Sequence, residues 1–292
     1  GKLNTLFSND IPDWIDEIGV KELGEKVWTK EIASLNIQAE VILRTNTLKT
    51  TKEALQAKLL EEGIETVILP KHPDAIKLVE RANVFRTEAF KLGWFEVQDA
   101  SSQLVAAYLD VQPGMKVVDT CAGAGGKTLH LASLMENKGQ LIAMDIYESK
   151  LRKLKVRAKR GGIHNVTLKT IDSTKPIKKL HDKADRVLID APCSGLGVLR
   201  RNPDSKWKLQ PEFLDNIRKT QQEILCSYSK MVKPGGKLVY ATCSVLPSEN
   251  QDQVTQFLAT NEEFTFVSDK KILASESGYD GFYMALLERK TK

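Results

Sequence analysis

The chain has 292 residues, 41% of them apolar and 28% charged, which is enough for one large domain and a smaller one built on real hydrophobic cores. Its apolar runs last only a few residues and its start is polar and interrupted by Pro12, so neither a membrane span nor a secretory signal is expected. A net charge of +5 hides an asymmetry: residues 1–97 carry 13 Lys/Arg against 16 Asp/Glu, and residues 98–292 carry 30 against 22.

In chain order, the pattern predicts a helix through Val20–Leu35, a strand at Glu40–Arg44, and a helix near Lys52–Glu62. In that second helix Ala54, Leu55, Leu59 and Leu60 recur at helical spacing. Ile64–Leu69 reads as a short strand, and Pro70 with His72-Pro73 as a turn. This is a small α+β unit, with its edge between Val84 and Gly93, so the expected domains are 1–92 and 93–292. From Gln98 onward strands and helices alternate. Strands are expected at Met115–Asp119, Gln140–Asp145, Val166–Ile171, Asp185–Asp190 and Lys237–Thr242, with helices near Lys127–Met135, Tyr147–Lys159 and Glu212–Val232. Short apolar strands separated by helices imply a parallel sheet covered on both faces. The tail offers Glu263–Val267 and Gly281–Glu288 with no long helix between them, which fits an antiparallel pair closing one edge. The chain begins with Gly rather than Met, and it ends soon after the last expected strand, so no appended C-terminal RNA-binding domain is expected.

The segment Val117–Thr128 runs from a strand through glycines into a helix. Glycine allows positive φ and close approach of a ligand, and a helix N-terminus offers unpaired N–H groups. A Walker A loop needs glycine where Cys121 stands, and a dinucleotide fingerprint starting at Gly123 needs its third glycine at Thr128. Neither template fits, which leaves a plain tight turn or another nucleotide loop. Asp145 ends the second strand about 20 residues on, where an acid accepts hydrogen bonds from a ribose diol. Asp172 follows the third strand and Asp190 ends the fourth, so all three acids should face one crevice beyond the strand ends. Each alone is as well explained as a helix cap. Together with the loop they point to an adenosine-type cofactor held by Cys121, Ala122, Gly123, Ala124, Gly125, Gly126, Lys127, Asp145, Asp172 and Asp190.

The four cysteines, Cys121, Cys193, Cys226 and Cys243, show no zinc-ligand spacing and no clustering with the four histidines. No metal is expected, and in a chain of this size without a secretory signal the thiols are expected to be reduced, in the cytoplasm. Cys226 lies in a helix beside Ile224 and Leu225 and reads as packing. Cys193 and Cys243 each follow a strand end, where chemistry is placed in this architecture. The run Lys150, Arg152, Lys153, Lys155, Arg157, Lys159 and Arg160 is either a solvated helix face or a phosphate-binding one.

At these residues the chain resembles the NOP/Sun (Sun/Fmu) family of RNA cytosine-C5 methyltransferases. The likeness is carried by Val97–Ser101, Asp119–Thr128, Asp190–Gly195, Arg200–Trp207 and Ala241–Ser244, and Leu43–Lys49 resembles the family's N-terminal domain. One departure is the loop Cys121-Ala-Gly-Ala-Gly-Gly-Lys127, where the family's usual form has Ala-Ala-Pro after the cysteine. The resemblance implies a Rossmann-like class I methyltransferase with a mostly parallel seven-stranded sheet, strand order 3-2-1-4-5-7-6. A small N-terminal domain related to RNA-recognition or ferredoxin-like folds is implied with it.

It also implies S-adenosylmethionine as cofactor and RNA as partner, ribosomal RNA ahead of tRNA. Cytosine C5 is a poor nucleophile, and a thiolate adding to C6 makes it one. The family assigns that attack to the residue matching Cys243 and product release to the one matching Cys193, whereas DNA enzymes would point at Cys193. Asp190 is implied at the base edge, protonated to donate to N3. Arg44, Asn46, Lys49, Arg200, Arg201, Lys206 and Trp207 are the expected RNA contacts. Two alternatives are an adenine amino-methyltransferase, which would carry an aromatic where Cys193 stands, and a non-catalytic RNA-binding module, which would have lost a motif cysteine.

Overall fold

The computed structural model describes residues 11–35, 37–201 and 205–291. Its first helices are α1 (Asp13–Leu23) and α2 (Glu25–Ser34), where the periodicity predicts a single one. Gly24 separates them, with a φ of 84° in the left-handed region that glycine enters freely. Trp28 of α2 then packs on Gly19 of α1, where a Cβ would stand 2.2 Å from the indole.

A small sheet follows, built by β1 (Ile42–Thr45), β2 (Thr66–Ile68), β3 (Ala75–Leu78) and β4 (Phe95–Val97), with α3 (Lys52–Glu61) and α4 (Glu88–Lys91) between strands. Its order is β2-β3-β1-β4, antiparallel throughout. Leu43 and Ile76 on the sheet pack against Leu55 and Leu59 of α3, all buried. The side chain of Thr51 accepts the N–H of Ala54, which sets the start of α3. Neither β3 nor β4 is anticipated from the sequence, because strands of four and three residues hold too few positions to show an alternation.

The larger unit opens with α5 (Ala100–Tyr108) and continues as β5 (Lys116–Asp119), α6 (Gly126–Leu134), β6 (Gln140–Asp145), α7 (Glu148–Arg160), β7 (Val166–Thr170), α8 (Lys175–Lys179) and β8 (Ala184–Asp190). Then come α9 (Ser205–Lys208), α10 (Pro211–Tyr228), β9 (Val232–Thr242), α11 (Gln251–Thr260), β10 (Phe264–Ile272), α12 (Ala274–Ser277) and β11 (Phe282–Arg289). The seven strands lie in the order β10-β11-β9-β8-β5-β6-β7. Counted from β5, that is the expected 3-2-1-4-5-7-6. Pairing is parallel from β9 to β7, and β11 is antiparallel to both β9 and β10, closing the edge as the tail pattern predicts.

Alternate residues of the central strands feed two cores. Val118, Val187, Ile189 and Leu238 meet Leu225 of α10 and Phe257 of α11 on one face. Val117, Leu188 and Val239 meet Val105 of α5 and Leu131 of α6 on the other. Burial on both faces is why these strands read as apolar runs. Burial also hides α5 from sequence reading: Ala100, Ser101, Ser102, Gln103, Val105 and Ala106 are all buried, so it shows no polar stripe.

The two units are joined by polar contacts. Glu96 of β4 receives Arg157 at 3.1 Å and Arg160 at 2.9 Å from α7. Asn46 Nδ2 donates to the carbonyls of Gly93 and Gly161, each at 2.8 Å, and Lys49 Nζ donates to those of Leu92 and Arg160, each at 2.8 Å. Among the described residues no helix is long and apolar enough to cross a membrane.

Gly93 sits where these backbones meet, with φ at 75° and an added Cβ only 1.9 Å from the Arg160 carbonyl oxygen. Gly93→Ala is therefore expected to destabilise the protein by roughly 2–3 kcal/mol through strain and overpacking. Denaturant unfolding of the variant beside the parent checks this, and an unchanged midpoint would show that the contact yields freely.

Candidate active site

The glycine loop leaves β5 after Asp119 and enters α6 at Gly125, whose φ is 102°. A Cβ at Gly125 would stand 2.6 Å from Leu154 Cγ, so the loop lies directly on α7. At Gly126 the nearest atom to an added Cβ is Gln98 Nε2, at 4.0 Å, and that side opens on a cavity of about 400 Å³. Cys121 to Lys127, Asp145 and Asp190 all line this cavity. Asp172 does not: it stands exposed two residues past the end of β7, outside the lining.

Asp145 ties the cavity together. One oxygen accepts the N–H of Gly123 at 2.8 Å and the other that of Tyr147 at 2.8 Å, so the acid fixes the loop to the end of β6 and still presents lone pairs inward. Asp119 accepts the Thr128 hydroxyl at 2.7 Å through one oxygen, while its other oxygen is buried with no hydrogen-bond partner among the described residues. Ile146 and Tyr147 beside them are 57% and 55% exposed, apolar surface for a flat ring to cover. An unpartnered buried carboxylate oxygen, an acid at a strand end and an open apolar wall fit a nucleoside carrying a cationic side chain. Sequence reading gave no cofactor role to Gln98, Ser102, Ile224 and Tyr228, which reach the cavity from the turn after β4, from α5 and from α10; Gln98 lies within the Val97–Ser101 motif, and the other three carry no local signal.

The thiols meet one strand away. β8 and β9 pair with Asp190 opposite Ala241, and the chain leaving each brings Cys193 Sγ to 2.8 Å from Cys243 Sγ. Its hydrogen bond to Cys243 and its burial push the Cys193 thiol well above its ordinary value, so Cys193 keeps its proton. Lys127 Nζ reaches from α6 to Asp190 Oδ2 at 2.8 Å and lies 5.2 Å from the Phe282 ring centre. Burial works against its charge, but Asp190, with Cys243 as a further contributor, raises its value above the ordinary one. Gly197 lets the segments close up: its N–H donates to the Cys243 carbonyl at 2.8 Å, and a Cβ there would stand 2.3 Å from the Gly281 oxygen. Cys121 is pushed up by burial, and Cys226 packs against the core from α10, as its sequence setting predicts.

The expected RNA contacts are not gathered on one surface. Arg44 is 1% exposed and donates to Gln98 at 2.8 Å, and Asn46 is buried in the junction between the units. Lys49 is exposed, but its ammonium is engaged by two carbonyls. Arg200 is buried against Asp280, and Arg201 bonds both Asp280 and Asp99. These arginines brace the segment after Cys193, Arg200 turned inward and Arg201 held by its acids while still exposed. Lys206 and Trp207 do face outward, the indole 53% exposed with the ammonium 5.9 Å from its centre. Asn202, Pro203 and Asp204 of the same motif lie outside the described residues. The basic run divides likewise: Arg157 and Arg160 turn to Glu96, and Lys150, Arg152, Lys153, Lys155 and Lys159 are exposed.

Comparison with known proteins gives two family matches. A model described as 16S rRNA methyltransferase RsmB/F matches residues 106–288, and one described as RsmF/B-like, ferredoxin-like domain matches residues 11–85. The chain is 34% identical over 296 residues to a probable ribosomal RNA small subunit methyltransferase B of Synechocystis sp., covering 95% of this chain. It is 35% identical over 280 residues to the ribosomal RNA small subunit methyltransferase B of Proteus mirabilis, covering 96%. The chain spans 66% of the length of each of these relatives. A solved methyltransferase homologue from Pyrococcus horikoshii superposes with a TM-score of 0.83 at 26% identity, over 95% of each chain.

Asp119 supplies a pH signature. Burial raises its value from 3.8 to about 7, against the opposing hydrogen bond from Thr128. The folded form thus keeps a proton that the unfolded chain releases, and stability should fall as pH rises from about 4 to about 7, then level off. Burial lowers His130 to about 4, which gives the opposite slope below its ordinary value. Asp119→Asn is expected to remove only the first contribution, leaving melting temperature relatively higher toward neutral pH. Melting curves of both proteins across that window check it, and parallel pH profiles would discard the assignment.

Proposed function

We infer the activity from one premise: this chain belongs to the 16S rRNA methyltransferase RsmB/F family. We propose that it transfers a methyl group from S-adenosylmethionine to C5 of a cytosine in RNA, with small-subunit ribosomal RNA as the substrate class. The observation that carries the reading is the contact of Cys193 with Cys243 at the edge of a cavity suited to that cofactor. An adenine amino-methyltransferase has no use for paired thiols, and a binding module has no need to keep them.

In this proposal the bound cofactor supplies an electrophilic methyl group, and the protein's residues do the rest. The glycine loop and Asp145 hold the nucleoside, and Asp119 stands ready for positive charge. Cys243 is the nucleophile at C6, as the likeness to the family implies, with the Cys193 thiol 2.8 Å from its sulfur. Asp190 and Lys127 meet the base edge as a pair, so the ammonium supplies the donor to N3 that Asp190 alone would need an extra proton to provide. After methyl transfer a water molecule takes the C5 proton, the freed electron pair re-forms the C5–C6 double bond as the Cys243–C6 bond breaks, and Cys193 is placed to return a proton to the departing thiolate. RNA contact is assigned to Trp207 and Lys206, by stacking and charge, and to the exposed lysines of α7. Residues 1–92 and 93–292 are proposed as the two domains.

Substitution of the thiols tests this directly. Cys243→Ala should abolish methylation of RNA and leave no covalent adduct. Cys193→Ala should still attack and methylate but release poorly, accumulating a protein–RNA complex that survives denaturing electrophoresis. An adduct in Cys243→Ala instead would exchange the roles, and normal turnover in both variants would end the proposal. For the cofactor, Asp145→Ala should weaken S-adenosylmethionine binding by about 1.5–3 kcal/mol, measured calorimetrically, since a charge-assisted acceptor and the tie to Gly123 are lost together. Unchanged affinity in the folded variant would restrict Asp145 to capping Tyr147.

A further inference from the structure

Glu249 ends the short turn Pro247–Glu249 between β9 and α11, with no solvent exposure. Glu249 is not among the residues lining the cofactor cavity, yet three of the four donors to its carboxylate come from the segments that carry the thiols. One oxygen accepts the Ser194 N–H at 2.7 Å and Gln221 Nε2 at 3.2 Å. The other accepts the hydroxyl of Ser194 at 2.7 Å and that of Ser244. Ser194 directly follows Cys193, and Ser244 directly follows Cys243. Each serine oxygen also accepts the N–H two residues on, from Leu196 at 3.3 Å and Leu246 at 3.1 Å, so the carboxylate sets the turn in both loops. Gln221 donates in addition to the Pro192 carbonyl at 3.0 Å, which secures the other flank of Cys193.

Packing alone does not require a carboxylate at a fully buried turn, where an apolar side chain avoids the desolvation penalty. Four donors, three from the two loops and one from Gln221 of α10, offset that penalty here, and they make the two loops one unit. We propose that Glu249 is a positioning residue that fixes the spacing of Cys193 and Cys243 by bridging their loops. The proposal rests on the reading of these thiols as the reacting pair. Glutamine at this place keeps an oxygen for the Ser194 N–H and offers an amide donor to two hydroxyls able to accept it. Alanine removes both sides of the bridge and leaves the loops joined through Gly197, the longer Ser194–Ser244 hydroxyl contact at 3.5 Å, the thiol contact and the strand ladder.

The test compares the parent with Glu249→Ala and Glu249→Gln, each as the whole chain. Diamide, a two-electron oxidant that takes up both thiol hydrogens as the Cys193–Cys243 bond forms, reports thiol spacing without RNA, and the linked peptide is followed by mass spectrometry. In Glu249→Ala the disulfide should form more slowly, and methylation should fall by about 100-fold in kcat, as expected for misplacement on the ångström scale. KM for RNA and affinity for S-adenosylmethionine should hold, and Glu249→Gln should recover both rates. Parental disulfide formation in Glu249→Ala overturns the proposal, as does an equal loss in the alanine and glutamine variants. If the parent methylates no cytosine while disulfide formation still depends on Glu249, the positioning role stands and the functional reading falls. Should Glu249→Ala not fold, Ser194→Ala and Ser244→Ala each remove one arm of the bridge. Slower disulfide formation in them supports the proposal, and parental rates in both overturn it.

Discussion

Parallel pairing of β8 with β9 forces two chain segments out of the sheet at the same edge and in the same direction. Asp190 stands opposite Ala241, and neighbouring strands lie about 4.8 Å apart. Whatever follows the two strand ends must share one small volume. β5, on the other side of β8, delivers the glycine loop to the same edge. The cofactor cavity and the paired thiols are consequences of that geometry. An antiparallel partner in place of β8 would send one of the three loops to the opposite end of the sheet.

Adjacent strand ends are not enough to bring two sulfur atoms into contact. The last few ångströms are closed by backbone, where Gly197 has no Cβ to hold Cys243 and Gly281 apart, and by the buried carboxylate of Glu249. The segment after Cys193 is braced from a third direction. Arg200 and Arg201 bond Asp280 in the approach to β11, and Arg201 also bonds Asp99 at the start of α5. Lys127 then links the two halves of the site electrically, since it lines the cofactor cavity and pairs with Asp190 beside the thiols.

Polar side chains also decide how the small sheet meets the large one. Glu96, Asn46 and Lys49 all bond to α7 or to the turn that follows it. This use of charge explains why the positive balance of the larger unit overstates its free positive surface. Four of the arginines that look available in the sequence, Arg157, Arg160, Arg200 and Arg201, are engaged by Glu96, Asp99 or Asp280. The lysines of α7 keep their charge toward solvent, with Lys206 beside Trp207 at another point on the surface.

The sequence by itself determined the parallel sheet, its order and its antiparallel edge. Strands buried on both faces are apolar runs, helices between them keep a stripe, and the motif likeness supplied the order. It also determined which loop forms the cavity and which two thiols sit at strand ends, because glycines, strand-end acids and cysteines are local signals. Only the tertiary structure decided what those residues touch. Arg44 and Arg200 are cations in any sequence reading, and their burial depends on partners 54 and 80 residues away. Asp172 shares its local setting with Asp145, yet it stands outside the cavity wall, and no local pattern separates the two. β3, β4 and α5 escaped for a different reason, being too short or too evenly buried to show a period. Glu249 is the plainest case: an acid in a Pro-Ser-Glu turn reads as solvated, and it becomes a bridge only when Ser194, 55 residues upstream, is folded against it.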